Sequence, residues 1–182
     1  ACRVIFENKK AVGIEIFRNG KKSIVRANKE VILSAGAIQS PQILQLSGVG
    51  PVKLLQEFNI PVVQDLPGVG ENLQDHLQHR LIYELNQPIS TNDQLSSWFG
   101  QLKMGLDWLF FRGGPLSIGI NQGGLFTRVM KESKTPDIQF HLATLSAEMA
   151  GGKVHPFSGF TMSVCQLRPE SRGHVRIQSA DP

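Results

Sequence analysis

Apolar and polar positions alternate from the start of the chain. Residues 3–7 (RVIFE) and 11–17 (AVGIEIF) flank Asn8-Lys9-Lys10, the pattern of a β-hairpin. Asn19-Gly20 is the strongest local turn signal that follows, and it predicts a third strand at about Lys22–Ala27. The period then disappears. Val31-Ile32-Leu33 is a continuous apolar run, which predicts a buried strand over Glu30–Leu33 ending on Ser34-Ala35-Gly36-Ala37. A strand end so poor in side chains lets a bulky ligand lie against main chain, as it does beyond the carboxyl ends of strands in open α/β sheets.

A helix is predicted to open near Ser40-Pro41, because serine caps free amides and proline is preorganised for a first turn. Ile43, Leu44 and Leu46 give it an apolar side, and Gly48 is its expected stop. Pro51 then starts a short helix over Val52–Phe58, and Asn59–Val63 is a short extended run ending at Asp65. Leu66-Pro67-Gly68-Val69-Gly70 is too poor in side chains to pack as helix and reads as turns.

Beyond His76 the pattern changes. His79–Leu85 reads as a strand, and Gln87–Asn92 as a loop. Leu95, Trp98, Phe99, Leu102, Leu106, Leu109 and Phe110 are spaced for one broad apolar face, predicting a single helix over Asp93–Phe111 with Trp98 and Trp108 as core or interface anchors. Strands are predicted around Asp137–Leu142 and Gly159–Leu167, with an irregular connection over Ser146–Pro156. Arg168 and Arg172, in Arg168-Pro169-Glu170-Ser171-Arg172-Gly173, are expected to hold a turn or bridge domains.

Composition narrows the classes. The chain has 182 residues, 41% apolar and 19% charged, which suits a folded domain and not a disordered one. A net charge of +4 spread over scattered lysines and arginines makes no basic face, so nucleic acid is not an expected partner. Two distant cysteines, Cys2 and Cys165, make neither a zinc spacing nor a disulfide framework. They point to a reducing, cytoplasmic compartment, with inner-membrane association left open. His76 and His79 stand three apart, but no second pair completes a ligand set, and no metal site is assigned. Neither Ser34 nor Ser47 sits in a nucleophile elbow. No GxGxxG dinucleotide fingerprint follows a strand.

Two long ordered motifs carry a family resemblance. Ser34-Ala35-Gly36-Ala37, Ser40-Pro41-Gln42-Ile43-Leu44 and Ser47-Gly48-Val49-Gly50-Pro51 together resemble the second signature of the glucose–methanol–choline (GMC) oxidoreductases, FAD-dependent alcohol oxidases and dehydrogenases. The stretch from Asp65 to His76 (DLPGVGENLQDH) resembles the next segment of that family, on its choline dehydrogenase-like branch. Gly114-Pro115-Leu116 and the arginine-proline-x-serine-arginine-glycine element resemble later marks.

The resemblance implies an α+β chain. Part of an FAD-binding α/β domain (meander plus returning strand) would join most of a substrate-binding domain with an antiparallel sheet and flanking helices. Residues 1–39 would close the FAD-binding segment, 40–75 supply short helices and a flavin-covering loop, and 76–182 form an incomplete substrate-binding domain. Val4, Ser34, Ala35, Gly36, Asn72, Asp75 and His76 are the implied cofactor neighbours. Val4 is equally an ordinary core valine, and His76 equally a hydrogen-bonded structural histidine. No catalytic residue is assigned, because the family's histidine base is expected downstream and its phosphate-binding βαβ unit upstream. Both chain ends read as cuts through a longer protein. The whole protein would use FAD and a small alcohol, with its electron acceptor undetermined. The 182 residues alone would be inactive, would retain FAD weakly or not at all, and would tend to self-associate through exposed sheet edges. A free-standing small-ligand module and a non-catalytic structural piece remain as alternatives.

Overall fold

Both early hairpins close through two residues at positive φ. Asn8 and Lys9 stand at 49° and 65°, Asn19 and Gly20 at 52° and 75°, the type I′ geometry whose twist matches the strands it joins. They connect β1 (Arg3–Glu7), β2 (Lys10–Arg18) and β3 (Lys21–Arg26) into an antiparallel sheet of that order, as the alternation predicts. The computed structural model describes residues 1–148 and 151–182. They divide into two units, 1–74 with 170–182, and 75–169.

In the first unit the buried strand expected over Glu30–Leu33 is not formed. The segment belongs to no ladder, and Ile32 is 79% exposed. An apolar run shows that a strand would be buried if neighbours flanked it, but not that they are present. The following helix, α1 (Gly36–Leu46), starts a turn earlier than expected and carries Pro41 inside it. Ser40 is therefore not its cap. Its Oγ instead accepts the Ala35 amide at 3.0 Å, folding back on the turn that opens the helix. Pro41 removes only the bond to the carbonyl of Ala37.

Gly48 stops α1 as expected, at φ 84°. A Cβ there would lie 2.2 Å from the Pro61 carbonyl oxygen, so the same glycine admits a close crossing of main chain. β4 (Val49–Gly50) pairs in parallel with β5 (Gln64–Asp65). Between them lies α2 (Val52–Glu57), with Pro51 as its N-cap and Leu55 fully buried. Residues 170–182, expected with the second unit, pack in the first. Gly173 bridges Leu73, the Val175 amide donates to the Gly70 carbonyl at 2.7 Å, and Ile177 is buried.

The second unit is built on a four-stranded antiparallel sheet. Its strands are β6 (Gln78–Glu84), β7 (Asn121–Thr127), β8 (Ile138–Ala143) and β9 (Gly159–Gln166), in the order β6-β9-β8-β7. The single helix expected over Asp93–Phe111 is two: α3 (Thr91–Ser96) and α4 (Trp98–Phe111). Ser97 breaks it, with ψ 131°, and its Oγ accepts the Gly100 amide at 3.4 Å. The close turn needs Gly100, whose Cβ position lies 2.3 Å from the Gln94 carbonyl oxygen.

The broad apolar face expected of this helix is largely exposed. Met104 is the one buried side chain of α4. Trp98 is 76% exposed and Trp108 42%, so neither is a core residue here. The guanidinium of Arg112 lies 4.4 Å over the Trp108 ring, a cation–π contact. Apolar residues lie all round α4, and only one of its sides can meet a neighbour. The connection expected over Ser146–Pro156 includes Met149 and Ala150, which lie outside the described residues; next to them Ala147 bridges Val154. Both cysteines are free and buried.

Candidate functional site

Ser47 ties α1 to β1. Its Oγ accepts the Val4 amide at 2.7 Å and donates to the Ile43 carbonyl one turn back. Opposed residues in an antiparallel ladder either exchange both main-chain bonds or neither. Val4 faces Ile14, and its amide is given to Ser47, so its carbonyl also points away from β2. Val4 is thus buried, as an ordinary core valine would be, while its main chain is directed off the sheet.

The Ser34-Ala35-Gly36 turn is open. Ser34 and Gly36 are exposed, Ala35 is the N-cap of α1, and no side chain caps the helix. Gly36 stands at φ 83°, and a Cβ built on it would meet nothing within 4 Å. The first-turn amides of such a helix end are free donors suited to a negative group. Gly70, within the segment expected to cover the flavin, is used differently. At φ 86°, its Cβ position falls 2.2 Å from the Val175 carbonyl oxygen and 2.6 Å from Gln45 Nε2, so protein occupies that side.

Asn72 lies at φ 62° and lines a cleft of about 440 Å³ with Ala37, Ser40, Leu44 and Gly70. The structure therefore brings Asn72 beside the first turns of α1. Glu71, also on this cleft, pairs with Arg176 at 3.0 Å. Asp75 and His76 belong to the second unit. Asp75 Oδ1 accepts the His76 amide at 2.8 Å, and His76 Nδ1 meets the Gln166 carbonyl at 2.5 Å. A carbonyl only accepts, so Nδ1 carries the hydrogen and Nε2 is left as the basic nitrogen.

Two features escaped sequence reasoning. Gln45, fully buried, donates from Nε2 to the carbonyls of Val175 (2.9 Å) and Val69 (3.3 Å), and accepts the Ile177 amide at 2.9 Å. No local pattern marks a helical glutamine as such a centre. The second is a cleft of about 300 Å³ in the second unit, lined by Gln78, Arg80, Asn121, Thr161 and Ser163 together with apolar side chains. Its signal was present in the alternation of polar residues at 78 and 80 and at 161 and 163, which register sets on one face: Arg80 stands opposite Ser163, and Ser163 opposite His141.

Among the described residues, no group of three or more histidines, cysteines or acids could hold a metal ion, and no helix is long and apolar enough to cross a membrane. For FAD, the open Gly36 turn, the uncapped α1 and the outward main chain of Val4 fit one wall of a nucleotide site. The lining of the adjoining cleft supplies no lysine or arginine to a diphosphate.

Residues 1–78 match the GMC oxidoreductase family model. The chain is 47% identical over 182 residues to an oxygen-dependent choline dehydrogenase of Cronobacter sakazakii, covering 99% of this chain and 32% of the relative. An Escherichia coli protein of the same name is 47% identical over 181 residues, again covering 32% of its length. The chain thus spans about a third of the curated relatives it matches. Among solved structures, a formate oxidase of Aspergillus oryzae shares the fold with TM-score 0.83 at 23% identity, over 100% of this chain and 37% of that one. Pyridoxine 4-oxidase from Mesorbium loti does so with TM-score 0.66 at 22% identity, over 99% and 31%. The chain carries the GMC oxidoreductase family match over residues 1–78 and is homologous to choline dehydrogenases over nearly its whole length.

Proposed function

We propose that these residues are the central part of an FAD-dependent alcohol dehydrogenase. In this reading residues 1–39 complete the FAD-binding segment, 40–75 cover the flavin, and 76–182 contribute to the substrate-binding domain. The observation that carries it is the open turn at Gly36 beside the uncapped α1, where main chain is accessible to a large ligand. The likeness to choline dehydrogenases over nearly the whole chain supports it.

Bound FAD would supply the redox chemistry, accepting a hydride from the alcohol carbon. The chain's own residues would position the partners. The Val4 carbonyl accepts from the adenine end, the Ser34–Gly36 turn leaves room for the nucleotide, and Asn72 faces the same wall. Asp75 and His76 belong to the cofactor surround, with His76 oriented through its Nδ1 bond to Gln166. Nothing in the chain is assigned the proton-accepting role, so the 182 residues alone are inactive and hold FAD weakly.

Titrating the purified chain with FAD, followed by flavin fluorescence, tests the second half: no saturable micromolar binding and no turnover of choline are expected, and either would overturn it. For the whole protein, anaerobic bleaching of bound flavin by an alcohol is expected. Failure of every alcohol tried would remove the enzyme reading.

A further inference from the structure

The cleft on the β6-β9 face carries an unbalanced charge. Of its described lining residues only Arg80 is ionic; none is acidic and none aromatic. A quaternary ammonium group is held by carboxylates or aromatic faces, and this lining has neither. Among the described residues Arg80 has no carboxylate partner. Across the ladder stands Ser163, 8% exposed, whose hydroxyl makes no hydrogen bond with any described residue. Directly opposed strand residues have Cβ atoms about 5 Å apart, and Arg80 and Ser163 both line this cleft. Thr161 differs, because its hydroxyl already donates to the Leu145 carbonyl at 2.9 Å and offers only lone pairs.

We propose that Arg80 and Ser163 form a carboxylate-recognition site, and that the alcohol taken by this protein is a small hydroxy acid and not a quaternary ammonium alcohol such as choline. The inference rests on the enzyme reading above and names its substrate class. A guanidinium fork presents two parallel N–H donors to a carboxylate, the serine hydroxyl adds a third donor, and Gln78 and Asn121 supply side-chain amides to the hydroxyl end. A cleft of about 300 Å³ leaves ample room for a small hydroxy acid.

Glycolate and choline are the probes, titrated separately into the chain while its amide NMR resonances are followed. Glycolate is expected to shift β6 and β9 resonances, and choline to leave them unmoved. Arg80→Gln should weaken glycolate at least tenfold, with Arg80→Lys intermediate and Ser163→Ala losing several-fold. Arg80 is exposed, so its two variants are expected to keep the wild-type spectrum elsewhere. Choline binding at this face, glycolate binding indifferent to Arg80→Gln, or no binding of glycolate would each overturn the proposal. In the whole protein, flavin bleaching by choline with a kcat/KM above that for glycolate would also overturn it while leaving the enzyme reading intact. Arg80-dependent glycolate binding with no flavin bleaching by any alcohol would support the anion site and remove the enzyme reading.

Discussion

The side-chain amide of Gln45 donates to the main-chain carbonyl of Val175, 130 residues further along, at 2.9 Å. With the Ile177 amide returning a bond to Gln45 Oε1, one glutamine serves a returning segment as a strand partner would. Gln45 is completely buried, so water cannot replace these bonds if the side chain is lost.

Gln45→Met keeps the length and removes the amide, leaving the Val175 carbonyl and Ile177 amide unpaired. Unsatisfied buried groups cost about 1–3 kcal/mol each. A loss of about 3 kcal/mol in urea unfolding is expected, with faster hydrogen exchange at the Ile177 amide. A loss below about 1 kcal/mol would show that the tail is held by other contacts.

Gly36 and Gly70 have nearly the same φ and opposite surroundings. Gly36→Ala should cost only the left-handed penalty, about 1–2 kcal/mol, because its new methyl meets nothing. Gly70→Ala drives a methyl onto the Val175 carbonyl, adding about 1–3 kcal/mol of overpacking. Thermal unfolding of the two variants should separate them clearly. Equal losses would contradict the packing described for Gly70.

Asp93, together with Asp137, contributes to the acid limb of stability in the second unit. The Ser158 hydroxyl foremost, against an opposing effect of desolvation and with further help from the hydroxyl and amide of Ser90, holds the Asp93 carboxyl below the usual 3.8. Its folded value is lowered, so the stabilisation is complete above 3.8 and is lost as pH falls through the folded value. Asp93→Asn should flatten unfolding free energy against pH below about 4, as measured by circular dichroism. An unchanged acid slope would exclude this carboxylate.

The exposed side of α4 predicts a separation of solubility from stability. Phe111 is 80% exposed. Phe111→Ser should therefore change unfolding free energy by no more than about 0.5 kcal/mol. The same variant should raise the concentration at which light scattering first appears, since large exposed apolar patches drive association. A large stability loss would mean that Phe111 packs in solution.

The meander was legible because its information is local. Alternation places Val4 and Ile14 on one face, and two-residue turns containing asparagine admit positive φ at Asn8 and Asn19. The stop at Gly48 and the strands of the second sheet were legible for the same reason. The α3–α4 break was not, since Ser97 looks like any polar position on a helix until Gly100 packs against Gln94. The exposed Trp98 and the unpaired Val31–Leu33 run mark a further limit: hydrophobicity records a demand for burial, not the partner that meets it.

The family motifs from Ser34 to His76 lie within one continuous stretch, so residue order alone identified them; the placement of their side chains did not follow from order. Asn72 reached the α1 cleft, while Asp75 and His76 fell in the other unit. What the linear chain determined was the local conformational vocabulary and the family, because turns, periodicity and signature spacing involve only neighbours in sequence. What tertiary structure decided was which glycine is open and which is packed, which glutamine is buried, and that Arg80 stands opposite Ser163. Each of those depends on contacts between residues tens to more than a hundred positions apart, set by strand register and by the closing of buried hydrogen bonds.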